Sequence, residues 1–188
     1  MCRIQGGLIQ IKKIFVVNGS GGVGKDTFVN LVSEEMNARL KRFHTVWNFS
    51  SVDKIKEIAR EIGWQGGKTE KDRKFLSDLK QLSSKYCDMP FESMKSKVSE
   101  FMNDDNSVFL FLHIREPEEI NGAVKEFNAK SIIVIRDSIH PILSNNADKN
   151  VFNYNYDLII VNNGTIEDLR EYAKDFVNVE FGGDKLFE

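Results

Sequence analysis

Gly19-Ser20-Gly21-Gly22-Val23-Gly24-Lys25 combines four glycines and a lysine at fixed spacing. It fits G-x-x-x-x-G-K, the pattern of a phosphate-binding loop. Glycines permit the backbone angles that turn successive N–H groups inward as an anion nest. Lys25 ends the loop as a compact cation able to reach β- and γ-phosphates. Asp26 stands where most such loops carry Ser or Thr. Its carboxylate could ligate Mg²⁺ or hold a metal-bound water. Thr27 is then placed to donate to an α-phosphate from the first helical turn. The bland alternative is a glycine turn that binds nothing. The apolar run before the loop and the helical pattern after it argue for phosphate binding.

Four basic residues accompany the loop: Lys54, Arg73, Arg115 and Arg136. Phosphoryl transfer is mostly positioning and charge stabilisation, so it calls for several cations around the moving group. Arg115 follows an apolar strand directly, and Arg136 opens an irregular stretch. Arg73 sits among Lys71, Asp72 and Lys74, which also reads as a solvated helix face. Lys54 lies at a helix start and has the same alternative. Asp53 is a candidate carboxylate near an acceptor, or simply a first-turn acid. His113 ends a strand and could touch substrate, or could be a satisfied strand-end histidine. Asn162 and Asn163 follow the last strand, where a nucleobase could be read. An Asn-Gly turn with a Thr165/Asp168 helix cap accounts for the same residues.

These positions need a scaffold, and the patterning supplies one. Apolar runs predict strands over about 11–18, 45–49, 107–113, 131–135 and 158–161. Helical spacing predicts helices from about Lys25 to Arg42, after a Ser50-Ser51 cap, over 69–86 and 91–103 on either side of a break at Pro90, over 116–127, and from Thr165 to about Val177. Alternating strands and helices imply an α/β fold, a three-layer five-stranded parallel sheet with helices on both faces. Ligands of such sheets bind at the carboxyl ends of the strands. The helical content between the second and third strands exceeds one crossover. Hence a single domain is expected, with its core at about 11–50, 105–135 and 157–178. A helical substrate flap is expected at about 51–104 and a lid at about 136–156.

The 188 residues suit one domain with a sizeable core. A formal net charge of -2 gives no sign of a nucleic-acid surface. Cys2 and Cys87 fit reduced thiols rather than a disulfide framework. Residues 1–10 read as a loose leader without an apolar signal core, and no apolar run reaches membrane-spanning length. The expectation is a soluble cytoplasmic protein, without membrane or nucleic-acid partners. The sequence leaves its oligomeric state open.

Gly24-Lys25-Asp26-Thr27 after a glycine-rich turn resembles the deoxynucleoside monophosphate kinases of phages and bacteria. These belong to the nucleoside-monophosphate-kinase-like group of P-loop kinases. The Gly-Lys-Asp variant also occurs in animal-type phosphomevalonate kinases. Ser51-Val52-Asp53-Lys54-Ile55-Lys56 is similar to the family's segment after the second strand, and Ile114-Arg115-Glu116-Pro117 to its Val-Arg-x-Pro segment. Asp157 to Thr165 resembles its closing Asp-x-x-Ile-x-Asn-x-Gly-Thr segment. The family usually has Asp before the Val-Arg pair, where this chain has His113. The resemblance implies an ATP- and Mg²⁺-dependent kinase with a phosphorylated small-molecule acceptor, foremost a (deoxy)nucleoside monophosphate. It implies that Lys25, Asp26 and Thr27 handle ATP phosphates and Mg²⁺, that Asp53, Lys54, Arg73 and Arg115 face the acceptor, and that Arg136 belongs to the lid. A kinase of another phosphorylated metabolite, such as phosphomevalonate, is an alternative. So is a nucleotide-binding regulatory protein with little catalysis. A GTPase fits less well, because an Asn-Lys-x-Asp motif is absent from the sequence.

Overall fold

The structure, a computed structural model, describes residues 12–139 and 151–182. Chain order is β1 (Lys13–Asn18), α1 (Lys25–Leu40), β2 (Val46–Ser50), α2 (Asp53–Glu61), α3 (Glu70–Cys87), α4 (Met89–Asn103) and β3 (Phe109–His113). Then follow α5 (Pro117–Phe127), β4 (Lys130–Ile135), β5 (Leu158–Val161) and α6 (Ile166–Gly182). The strands form one sheet in the order β2-β3-β1-β4-β5, with every neighbouring pair parallel. In register, Val17 of β1 stands opposite His113 of β3, and Phe15 opposite Lys130 of β4.

The central strands read as unbroken apolar runs because helices cover both of their faces. Successive side chains point to opposite faces. Phe15, Val17, Phe109 and Phe111 therefore meet Phe28, Val32 and Met36 of α1 and Ala173, Phe176 and Val177 of α6. Ile14, Val16, Leu110 and Leu112 meet Met94 and Phe101 of α4 and Ile120 and Ala123 of α5. The result is a three-layer α/β fold of five parallel strands. Trp47 packs edge-on to Phe101, with ring centroids 6.0 Å apart. α3 packs on α2 and α4 and buries only Ser83 of its own residues.

Local chemistry explains where most of the elements stop, and four expectations are corrected. α1 ends at Leu40 rather than Arg42, because Lys41 takes a left-handed conformation (φ 51°) and its N–H bonds the Asn37 carbonyl. The Ser50-Ser51 cap does not form. Val52 is the N-cap of α2, and Asp53 Oδ2 instead reaches back to accept from the Ser50 N–H at 2.8 Å. The break expected at Pro90 falls at Asp88 (φ 48°), and Pro90 sits in the first turn of α4, where its missing N–H costs nothing. The Thr165/Asp168 cap is present: Asp168 Oδ2 accepts from the Thr165 N–H at 2.7 Å, and Thr165 Oγ1 from the Asp168 N–H at 3.3 Å. α6 continues to Gly182, beyond Val177, and Phe181 packs on the core. The leader over 1–10 lies outside the described residues, as does the 140–150 part of the lid.

Candidate functional site

The carboxyl ends of β1, β3 and β4 converge on the glycine loop. Gly19 (φ 142°) must lack a side chain, because a Cβ there would collide with the Val134 carbonyl of β4. Gly24 (φ 100°) is the N-cap of α1, and a Cβ there would strike Asn162 Nδ2. Between them, Ser20 and Val23 are buried, Gly21 is half-buried, and Gly22 is exposed with φ 83°. Lys25 Nζ bends back over this turn and donates to the carbonyls of Gly19 at 2.6 Å and Ser20 at 2.8 Å. Thr27 is half-buried on the first turn of α1.

Two buried asparagines hold the loop in shape. Asn18 Oδ1 accepts from the Gly19 N–H at 2.7 Å. Its Nδ2 donates to the Arg115 carbonyl at 3.2 Å and to Tyr156 Oη at 2.7 Å. Tyr156 Oη donates in turn to the Val151 carbonyl at 2.8 Å, and burial pushes its phenol up to about 12. Asn162 Nδ2 donates to the Val23 carbonyl at 2.8 Å, and its N–H to the Ile135 carbonyl, also at 2.8 Å. Asn163 is turned the other way: it accepts from the Asp137 N–H at 2.8 Å and donates to Asp137 Oδ2 at 2.6 Å. Removing the Asn162 amide would leave the Val23 carbonyl unsatisfied. Asn162→Ala is expected to lower stability by about 1–3 kcal/mol. It should also weaken nucleotide binding while the fold persists. Urea unfolding alongside nucleotide titration checks this, and unchanged values in both would refute the clamp.

A charged cluster faces the loop. Asp26, on the first turn of α1, has a side chain 83% exposed, and its Oδ1 lies 3.7 Å from His113 Nε2. His113 is lowered to about 4, first by burial. The charges of Lys25 and Lys56 push it down further, while Asp26 and Asp53 oppose them. Lys25, Asp26, Asp53, Lys56 and His113 therefore share one electrostatic neighbourhood. Lys56 Nζ donates to Asp53 Oδ1 at 3.1 Å, whereas Lys54 pairs with Glu57 at 2.9 Å on an exposed stripe. Residues 53 and 56 are three apart and share a helix face, which places Lys56 rather than Lys54 in the cluster. Arg73 is exposed on the first turn of α3. Arg115 and Arg136 are half-buried directly after β3 and β4, and the Arg136 carbonyl accepts from the Ile139 N–H at 3.0 Å.

The His113 shift has a stability consequence. Unfolded, the imidazole titrates near its ordinary 6.5; folded, near 4. Between those values the unfolded chain binds more protons, so stability rises with pH. It is complete above about pH 6.5 and falls by up to about 3 kcal/mol as pH drops towards 4. In His113→Gln that part of the acid loss is expected to vanish. Denaturant unfolding of both proteins at pH 7 and 4.5 measures it, and parallel losses would contradict the assignment.

Lys56, Asn18 and Tyr156 were not singled out from sequence. The Asp53/Lys56 spacing held a signal for the first. Nothing local marked Tyr156, which meets Asn18 only through the fold. Among the described residues no group of three or more His, Cys, Asp or Glu could hold a metal by itself, and no helix is long and apolar enough to cross a membrane.

The sheet order, with a glycine loop and lysine between its central strand and the first helix, defines a P-loop α/β fold. No protein-family model matches the chain, and no curated protein does. Among solved structures it is similar to shikimate kinase from Aquifex aeolicus, at 13% identity and a TM-score of 0.49, covering 90% of this chain and 98% of that one. It is also similar to the APS kinase of Mycobacterium tuberculosis (12%, 0.46, 89% and 98%) and to thymidylate kinase from Ehrlichia chaffeensis (11%, 0.45, 89% and 99%). At these identities and scores the likeness assigns no substrate.

Proposed function

We propose that this chain is an ATP- and Mg²⁺-dependent small-molecule kinase of the cytoplasm, whose acceptor is a phosphorylated metabolite, foremost a (deoxy)nucleoside monophosphate. The observation that carries the reading is the Gly19–Lys25 loop, held between β1 and α1 with Lys25 Nζ folded over it. In this reading the backbone N–H groups of the loop and Lys25 hold the β- and γ-phosphates. Asp26 and Thr27 meet Mg²⁺ and the α-phosphate, and Asn162 and Asn163 border the nucleotide. When bound, Mg²⁺ supplies charge neutralisation at the phosphates. Arg115 and Arg136 stabilise the charge that develops as the γ-phosphorus–oxygen bond to ADP breaks and the bond to the acceptor oxygen forms. Asp53, Arg73 and Arg115 face the acceptor in this reading, with Lys56 in the place expected of Lys54. An acceptor phosphate is already nucleophilic, so a strong general base is not required.

The test is ADP release from ATP and Mg²⁺ across a panel of nucleoside and deoxynucleoside monophosphates plus phosphomevalonate. A rise with one acceptor that depends on Lys25 supports the reading and names the acceptor. ATP binding without release on any acceptor would replace the kinase with a nucleotide-binding regulator.

A further inference from the structure

His113 is left without a task by the roles assigned above. Its Nε2 is buried and has no hydrogen-bond partner. Buried polar atoms are nearly always paired, so an orphan at the mouth of a binding loop points to a missing ligand. The nearest acid oxygen, Asp26 Oδ1 at 3.7 Å, is beyond hydrogen-bond reach. The two groups differ in freedom. The His113 side chain is only 13% exposed, and its strand pairs with Val17 and Ser50 on either side. Asp26 is solvent-facing and can turn. Asp53 is already engaged at both oxygens, by the Ser50 N–H and by Lys56.

A carboxylate oxygen and an imidazole nitrogen about 3 Å apart fill two adjacent positions of an octahedral ion with bonds of about 2.1 Å. A small rotation of Asp26 closes 3.7 Å to that separation. Nucleotide phosphates and water can complete the shell. The neutral imidazole is the form that ligates metals. Mg²⁺ is held through carboxylate oxygens and retained waters, so one nitrogen ligand shifts the site towards a first-row divalent ion, and Mn²⁺ keeps the same oxygen partners for the rest of the shell.

We propose that the divalent ion accompanying the nucleotide is bound directly by both Asp26 and His113, and that this mixed oxygen–nitrogen pair favours Mn²⁺ over Mg²⁺. The inference rests on the reading of the loop as an ATP site. It concerns this chain's own pair: the strand-end nitrogen occupies a coordination position instead of orienting a metal-bound water.

The test is pulsed electron paramagnetic resonance of the full chain with Mn²⁺ and the non-hydrolysable analogue AMPPNP. A directly coordinated ¹⁴N coupling is expected, replaced by a ¹⁵N coupling on histidine labelling and lost in His113→Gln. Competition titrations should show the Mn²⁺-over-Mg²⁺ preference falling by about tenfold or more in His113→Gln. His113→Asp should restore an all-oxygen shell with tight Mg²⁺-nucleotide binding. AMPPNP bound without nitrogen coupling would overturn the inference and leave the loop reading standing. A coupling that persists in His113→Gln would also overturn it. Failure to bind AMPPNP with either metal would remove the loop reading, and the inference with it.

Discussion

Lys25→Ala is expected to lower phosphotransfer by about 10²- to 10³-fold, the usual cost of removing one donor aimed at developing charge. The side chain is half-buried over the loop, and its Nζ donates to the main-chain oxygens of Gly19 and Ser20. Those bonds are made within the loop, so exchanging them for phosphate bonds needs no rearrangement of β1 or α1. Loss of the ammonium costs about 1 kcal/mol of folding stability per hydrogen bond given up. The folded protein should therefore persist while binding collapses. Titration of ATP into both proteins, followed by ADP release, separates the two effects. Transfer unaffected by the change would rule the loop out as the phosphate site.

Phe15→Ala should have the largest effect on stability, about 3–5 kcal/mol. Phe15 is 1% exposed on the central strand. Its ring centroid lies 5.3 Å from that of Phe109, 5.2 Å from Phe111 and 4.9 Å from Phe176. Truncation opens a cavity between the sheet, α1 and α6 that backbone shifts cannot close. For a chain of this size each kcal/mol moves the melting temperature by about 2–4 °C, so a fall of about 6–20 °C is expected. Phe43, 76% exposed, is the matched control, and Phe43→Ala should stay within about 0.5 kcal/mol. Calorimetry of the two variants decides. A Phe15→Ala protein that melts with the parent would mean the aromatic cluster is not the core.

How much could be read from the residues depended on whether a signal was local. β1 and β3 were legible because both of their faces are covered, which writes an unbroken apolar run into the sequence. The loop was legible because its glycines answer a local backbone demand, the positive φ of Gly19, Gly22 and Gly24. The cap of α2 was misread. Ser50 and Ser51 have the right side chains, but Asp53 supplies the acceptor for the Ser50 N–H from inside the helix. Lys54 was named and Lys56 was not, because which of them lies beside Asp53 depends on helix phase, at about 100° per residue. The phase of α2 is set by burial of Ile55 and Ala59, which only tertiary packing fixes. Asn18 and Tyr156 meet across most of the chain, and no short window contains that pairing.

The sheet order also constrains when the loop can exist. β1 lies between β3 and β4, so Lys13 pairs with Phe109, and Phe15 with Lys130. Contacts so distant in sequence must close long loops before they contribute, which slows folding. During synthesis, β1 has no sheet partner until β3 has emerged. Gly19 has no Val134 behind it, and Val23 no Asn162, until the chain is largely made. A glycine loop encoded before β3, β4 and β5 is thus completed only after they have formed. Nucleotide added to growing or shortened chains should neither bind nor protect them until β5 and Asn162 are in place.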